Sequence, residues 1–428
     1  MKNKNNYLWL VLLLQVMGAC TPEEYTFVDN RTIDPDSIAG IRLQTNHTLL
    51  LADGRAQIEM QPVLLQKDGN EVLRSRIDDR LIEYRTLSGE SISRVFATSA
   101  ADKIGEKIEV YAQLKGKDLV SDTVAFEIVA PWDSESLQEI SVPVVFHVIQ
   151  VASEVESYGG EFETARLHSI LEKLNNAFSG NVSHNPVGVD SKIRFKPALY
   201  DPDGQKLREP GIHRLVTESV SDAGNDQYET FLKEQKLVWP YDRYMNIWLV
   251  SDKANKLNGG FYFFVTSKCI PRYLTETIGS SDIPAGLSLQ KLPSAWQPSA
   301  RETGIIYRLE TLNKLSWVTD PIYESELVFN VGEYLGLKRT WGKNKNDMSD
   351  DHCQDTQPYY LGAPDSYKGN KTMFKAVGSC FFLAENIMDD QSGVHRSVSA
   401  EQAKRMRWVL ENCPERSAWK SDFAFTGK

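Results

Sequence analysis

Hydrophobic positions along this chain change their spacing twice, and each change marks a different kind of structure. The first pattern is a short apolar run from Tyr7 to Met17, broken only by Gln15 and preceded by Lys2 and Lys4. It is too short to span a bilayer, and a basic start followed by an apolar middle is the layout of an export signal. From about Ala39 to Val129 the spacing is two. Ile41-Arg42-Leu43, Ile58-Glu59-Met60 and Leu81-Ile82-Glu83-Tyr84 alternate or cluster as strands do. The clearest hairpin joins Lys107–Leu114 to Thr123–Val129 through a turn containing Gly116. Short strands separated by frequent turn signals predict a β-sandwich.

Pro131-Trp132-Asp133-Ser134-Glu135-Ser136 marks a linker, and beyond it α and β patterns mix. Val142–Ile149 is an almost continuous apolar run, as in a strand buried on both faces. Pro143 has no N–H for a ladder, so pairing is expected to begin after it. Leu167, Ile170, Leu171, Leu174 and Phe178 recur at helical spacing and predict a helix over 164–178. Ile193, Phe195 and Leu199 suggest a second strand, closed by a turn at Asp201-Pro202-Asp203-Gly204, and Met245–Val250 a third. Asp320-Pro321 is a plausible helix start, apolar residues 327, 328, 331, 334 and 335 give that helix one stripe, and Gly336 can end it.

Composition narrows the class. A chain of 428 residues is long enough for two or three domains, and 41% hydrophobic with 25% charged residues is a globular composition. The net charge of −10 argues against nucleic acid as a partner, since that requires clustered Lys and Arg. Met17-Gly18-Ala19-Cys20 resembles a bacterial lipobox, which makes Cys20 the lipidated first residue of an exported lipoprotein, with ordinary cleavage near Ala19 as the alternative. Outer-membrane location follows as an expectation, and Glu23 and Glu24 hint at the cell surface. The expected organisation is a signal peptide (1–19), a tether (20–38), a sandwich resembling bacterial Ig-like domains and acting as a spacer (39–130), a linker (131–141) and an α/β domain (142–428). Cys269, Cys353, Cys380 and Cys413 remain beyond Cys20. An even number in an exported chain suggests two disulfides, with three pairings open.

The segment from Glu324 to Gly342 contains Phe329-Asn330-Val331-Gly332-Glu333-Tyr334-Leu335-Gly336-Leu337-Lys338-Arg339. Its frame resembles H-E-x-x-H-x-x-G-x-x-H of the metzincin peptidases, in which three histidines hold zinc and the Glu is general base. Phe329 stands at the first histidine position, Asn330 at the base, Glu333 at the second histidine and Arg339 at the third, while Gly336 is kept. Tyr334-Leu335-Gly336-Leu337 and Thr340-Trp341 look like pappalysin-family residues. Asn386-Ile387-Met388-Asp389 resembles the family's Met-turn, with Met388 beneath the metal. Ser399–Met406 resembles its final helix, where Ser399 and Gln402 can form a capping box. Cys353-Gln354-Asp355-Thr356 resembles one of its loops, and 142–149 and 193–213 its opening strands. The likeness covers about 142–413. It implies an α+β protein: an Ig-like β-sandwich followed by a metzincin-like zincin domain with a mixed sheet, an active-site helix and a Met-turn. It also implies a Cys353–Cys380 bridge, leaving Cys269–Cys413.

Zinc is the family's cofactor, but Phe329 offers no lone pair and Arg339 places positive charge where a cation would sit. Asn330 cannot accept a proton as a carboxylate does, and loss of a general base alone costs about 10²–10⁴ in rate. The resemblance therefore implies a metallopeptidase fold without activity, a pseudopeptidase binding a peptide or protein. A metalloendopeptidase with rearranged ligands and a structural surface component are the alternatives. Glu333 and Arg339 are expected to neutralise each other as a salt bridge. Asp347, Asp350, Asp351 and Asp355 around His352 make an acidic loop whose hard oxygens suit calcium. The seven histidines form no HxH or HxxxH pair, and His147, inside an apolar strand, is expected in the core. No G-x-S-x-G elbow supports a serine hydrolase.

Overall fold

The computed structural model describes residues 33–157, 163–218, 225–250, 272–273, 283–287, 290–291, 299–309, 322–342, 350–360, 374–390 and 393–428. The export signal, Cys20, Cys269, Asp347 and the helix start at Asp320-Pro321 lie outside the described residues.

Alternating residues between 38 and 129 build two sheets. One has the order Ile38–Thr45, Ile58–Gln66, Val95–Phe96; the other runs Leu49–Leu51, Val124–Val129, Lys107–Leu114, Ile82–Thr86, Ser91–Ile92. In the expected hairpin Lys107 faces Glu127 and Val110 faces Val124 in antiparallel register. Val110, Ala112 and Leu114 turn inward from one face, as a period of two requires. Phe96 and Phe126 reach across from different sheets, with ring centroids 5.8 Å apart.

This unit is packed onto the rest of the chain. Gln61 Nε2 donates to the carbonyl of Phe381 at 2.8 Å, and the backbone N–H groups of Leu51 and Gln57 donate to Pro186 and His184 at 2.9 and 3.0 Å. One hydrophobic core runs through both regions, and it includes Leu43, Met60, Phe146, Leu174 and Met388.

The second region is mixed α/β around a five-stranded sheet, and every described pairing in that sheet is parallel. Ile140–Val151 is central. Along one edge it pairs first with Ile193–Pro197 and then with Ile212–Thr217; along the other it pairs with Met245–Val250, which carries Gly304–Arg308 outside it. Pairing starts at Ile140, ahead of Pro143, contrary to the sequence expectation. The N–H groups of Ile140 and Phe146 both donate toward the first edge, so the missing N–H of Pro143 belongs to the other. There the neighbouring strand begins only at Met245, opposite Val144, and nothing is lost.

The predicted helix spans Thr164–Ser179 and buries Leu167, Ile170, Leu171, Leu174 and Phe178 against this sheet, ending at Gly180 with φ +62°. Asn175 fastens it by exchanging two hydrogen bonds with the backbone of Phe195 at 2.8 and 2.9 Å.

Candidate functional site

From Leu327 onward the helix Ile322–Tyr334 is enclosed on nearly all sides. Phe329 and Asn330 are buried along with Leu327, Val328, Val331 and Tyr334, so the helix lies inside the protein instead of resting on it by one stripe. It ends where the glycine predicts. Gly336 has φ +84°, its N–H donates to Glu333 O at 2.9 Å, and Leu337 N–H donates to Gly332 O at 3.0 Å. This is a Schellman ending, in which a left-handed glycine lets the last turn satisfy its own carbonyls. Arg405 Nε, from the helix Ala400–Asn412, takes the Gly336 carbonyl at 2.7 Å.

The turn Asn386-Ile387-Met388-Asp389 lies against this helix. A Cβ added to Gly332 would stand 2.5 Å from the Met388 Sδ, so helix and turn meet because position 332 has no side chain. Asp389 N–H donates to Asn386 O at 3.0 Å, and Asn386 N–H donates back to Asp389 Oδ2 at 3.1 Å. Thr340, fully buried, donates its hydroxyl to Asp389 Oδ1 at 2.7 Å and its N–H to Met388 O at 3.0 Å. Asn386 and Gln402 exchange amide hydrogen bonds at 2.7 and 3.0 Å. The Ser399–Gln402 capping box forms as expected, with bonds of 3.0 and 3.3 Å. Helix, turn and final helix, far apart in the chain, thus converge.

At the first histidine position of the motif frame the junction presents an aromatic ring. Phe329 is 5% exposed, and its ring lies 6.2 Å from that of His395, the planes inclined by 30°. His395 is buried and donates Nε2–H to Asp390 O at 2.8 Å. Sequence reasoning missed this histidine, because no spacing signal ties it to the helix. Arg339 lies with its guanidinium 4.9 Å from the centre of the Trp341 ring. Among the described ion pairs none joins Glu333 to Arg339, which corrects the expected bridge. The chain leaves the helix at Gly336 and carries the guanidinium onto the indole instead. Of the positions Phe329, Glu333 and Arg339, only Glu333 carries a donor oxygen, and this set does not fit zinc, which takes four N, S or O ligands with at least three from protein.

In the acidic loop, Asp351 accepts from Cys353 N–H at 3.1 Å and Thr356 Oγ1–H at 2.6 Å. Asp355 accepts from Ser399 Oγ–H at 2.6 Å and from Glu401 N–H at 2.8 Å, adding a second cap to the final helix. Burial pushes both carboxyls above their usual range. Asp350 lies 3.3 Å from His352. Among the described residues no three His, Cys, Asp or Glu side chains are arranged to hold a metal ion.

The implied Cys353–Cys380 bridge is absent: both are buried, free thiols in different settings. Cys353 sits among Asp351, Asp355 and Arg405, where burial and then the carboxylates raise its pKa. Cys380 opens the strand Cys380–Leu383, packs with Val63 and points its sulfur at Gln61 O, 3.6 Å away, with burial raising its pKa to about 12. Cys413 is buried, and its implied partner Cys269 lies outside the described residues.

His147 is wholly buried, as expected, and bonds Asn246 Oδ1 at 2.9 Å. It projects from the face of the sheet opposite the Phe329 helix: Val144, Phe146 and Val148 join the core containing that helix, whereas Val145 and Ile149 join others.

No protein-family model matches the chain, and no curated protein matches it. Among solved structures, mature mirolysin of Tannerella forsythia in complex with a cleaved peptide is 20% identical, with a TM-score of 0.43, over 68% of this chain and 98% of that one. A mutant of Tannerella forsythia promirolysin is 19% identical, TM-score 0.43, over 67% and 86%. Mirolysin in complex with compound 9 is 19% identical, TM-score 0.42, over 67% and 97%.

Proposed function

We propose that this chain is an exported, lipid-anchored outer-membrane protein in which an Ig-like unit is fused to a pappalysin-like metzincin domain that binds a peptide or protein without cutting it. One observation carries the reading. The helix frame is kept, with Gly336 ending it and Met388 pressed against Gly332, while an aromatic ring at 329 stacks on buried His395 where an imidazole would be required. The scaffold of a metal centre is retained and its donor set is not. Asn330 cannot serve as the carboxylate base, so removal of the metal and of the base coincide. Cys20 in its lipobox supports the anchor, and each buried methylene of an acyl chain adds about 0.8 kcal/mol to membrane binding.

The test is elemental analysis of the purified, lipid-free chain combined with a peptide-library cleavage and capture assay. The expected result is zinc well below one per chain, no chelator-sensitive cleavage, and retention of a subset of peptides. Stoichiometric zinc with cleavage abolished by chelator would overturn the proposal.

A further inference from the structure

The opposite face of the sheet carries a hydrogen-bonded relay that ends in a cavity. Asn246, on Met245–Val250, donates Nδ2–H to Trp239 O at 3.0 Å, which fixes its amide so that Oδ1 is the acceptor. His147 Nε2, 2.9 Å from that oxygen, must therefore carry a proton. Parallel register sets His213 beside His147, and their Nδ1 atoms are 3.3 Å apart. Burial holds His147 neutral, with a pKa of about 3, so its Nδ1 is a bare lone pair. The proton between the rings then belongs to His213 Nδ1. Neutral His213, whose pKa burial also lowers, is left with a bare Nε2. That atom makes no hydrogen bond among the described residues.

His213 lines a cavity of about 820 Å³ with Trp239, Tyr241, Pro202, Pro240 and Asp201, a volume in the range of small-ligand sites. The indole N–H of Trp239 also lacks a hydrogen bond among the described residues, so the cavity presents a fixed acceptor and a fixed donor. Charge selects neither sign: Asp201 and Asp203 share the cavity with Lys236 and with Lys233, which already pairs with Glu229 at 2.8 Å. We infer that this cavity is a binding site for a neutral, hydroxyl-rich ligand of the saccharide class, with His213 Nε2 accepting from one hydroxyl and Trp239 Nε1 donating to another. A hydroxyl both gives and takes a hydrogen bond, and Tyr241 with the two prolines supplies apolar lining suited to a sugar ring, while Trp239 is held by its packing against His147, His213 and Tyr244. The site is independent of the Phe329 helix and of the function proposed for it.

The test is long-range proton–nitrogen NMR of the 15N-labelled full chain, titrated with glucose, mannose, N-acetylglucosamine and their disaccharides. His213 is expected to carry its proton on Nδ1, and at least one sugar is expected to shift the Nε2 resonance. His213→Phe, which keeps a ring of similar shape, is expected to weaken that sugar about tenfold, the loss of one hydrogen bond. A proton on His213 Nε2, or no shift with any sugar, overturns the inference on the unaltered protein even if the variant fails to fold. Shifts produced by library peptides alone overturn it as well.

Discussion

Gly332 is the point at which the buried helix and the Met388 turn touch, and replacing it with alanine sets two effects against each other. Alanine is the better helix former by about 1 kcal/mol. The new methyl, however, would meet Met388 Sδ at 2.5 Å, and Met388 is fully buried with Ile387 Cδ1 only 3.2 Å from the same point. Overpacking of this kind costs about 1–3 kcal/mol, so Gly332→Ala should change stability by between about 0 and 2 kcal/mol, on the destabilising side. Met388→Ala alone should cost about 2–5 kcal/mol through lost burial and the cavity left behind. Combined, the new methyl enters that cavity, the clash vanishes and only the helix gain remains. The double mutant should therefore be more stable than the sum of the single effects predicts, by about 1–3 kcal/mol. Urea unfolding followed by tryptophan fluorescence measures all four corners of the cycle. Additivity to within about 0.5 kcal/mol would refute the contact and with it the convergence of helix and turn.

The buried histidines make stability depend on pH. His147 and His47 both have pKa values of about 3 in the folded chain, mainly through burial, against about 6.5 when unfolded. A depressed folded value means their contribution is complete above about pH 6.5 and declines as pH falls toward 3, by about 1.4 kcal/mol per unit for each histidine. Asp351, Asp355 and Glu385, raised by burial, act in the opposite sense in acid, so the comparison is with His147→Gln, which should show a shallower decline; an unchanged slope would contradict the neutral, buried imidazole. Cys353 and Cys380 should resist iodoacetamide in the folded protein and be alkylated after denaturation without any reductant, as read by mass spectrometry; failure to react once unfolded would restore the bridge.

Local periodicity carried much of the fold. The helix starting at Thr164 and the strand Met245–Val250 lie where spacing placed them, because burying an apolar stripe or run is a local demand. Gly336 likewise announced the end of the central helix, since few other residues accept φ near +84°. Less local features were illegible. Pro143 looked like a barrier to pairing, and whether it was one depended on which edge its missing N–H faced. Glu333 and Arg339 looked like partners, but the path of the chain after Gly336 laid the arginine on Trp341. Cysteine parity suggested bridges, yet Cys353 and Cys380 fold into separate surroundings.

The sequence by itself determined which donors a metal would find at 329, 333 and 339, because side-chain chemistry does not depend on folding. It also determined the two spacings that separate the β region from the α/β region. Only the tertiary structure decided what those residues touch. It set His395 beside Phe329 and Met388 beneath Gly332, and it lined up His213, His147 and Asn246 across adjacent strands. Periodicity records which face of an element is buried; strand register and helix docking decide what that face meets, and those depend on contacts between residues far apart in the chain.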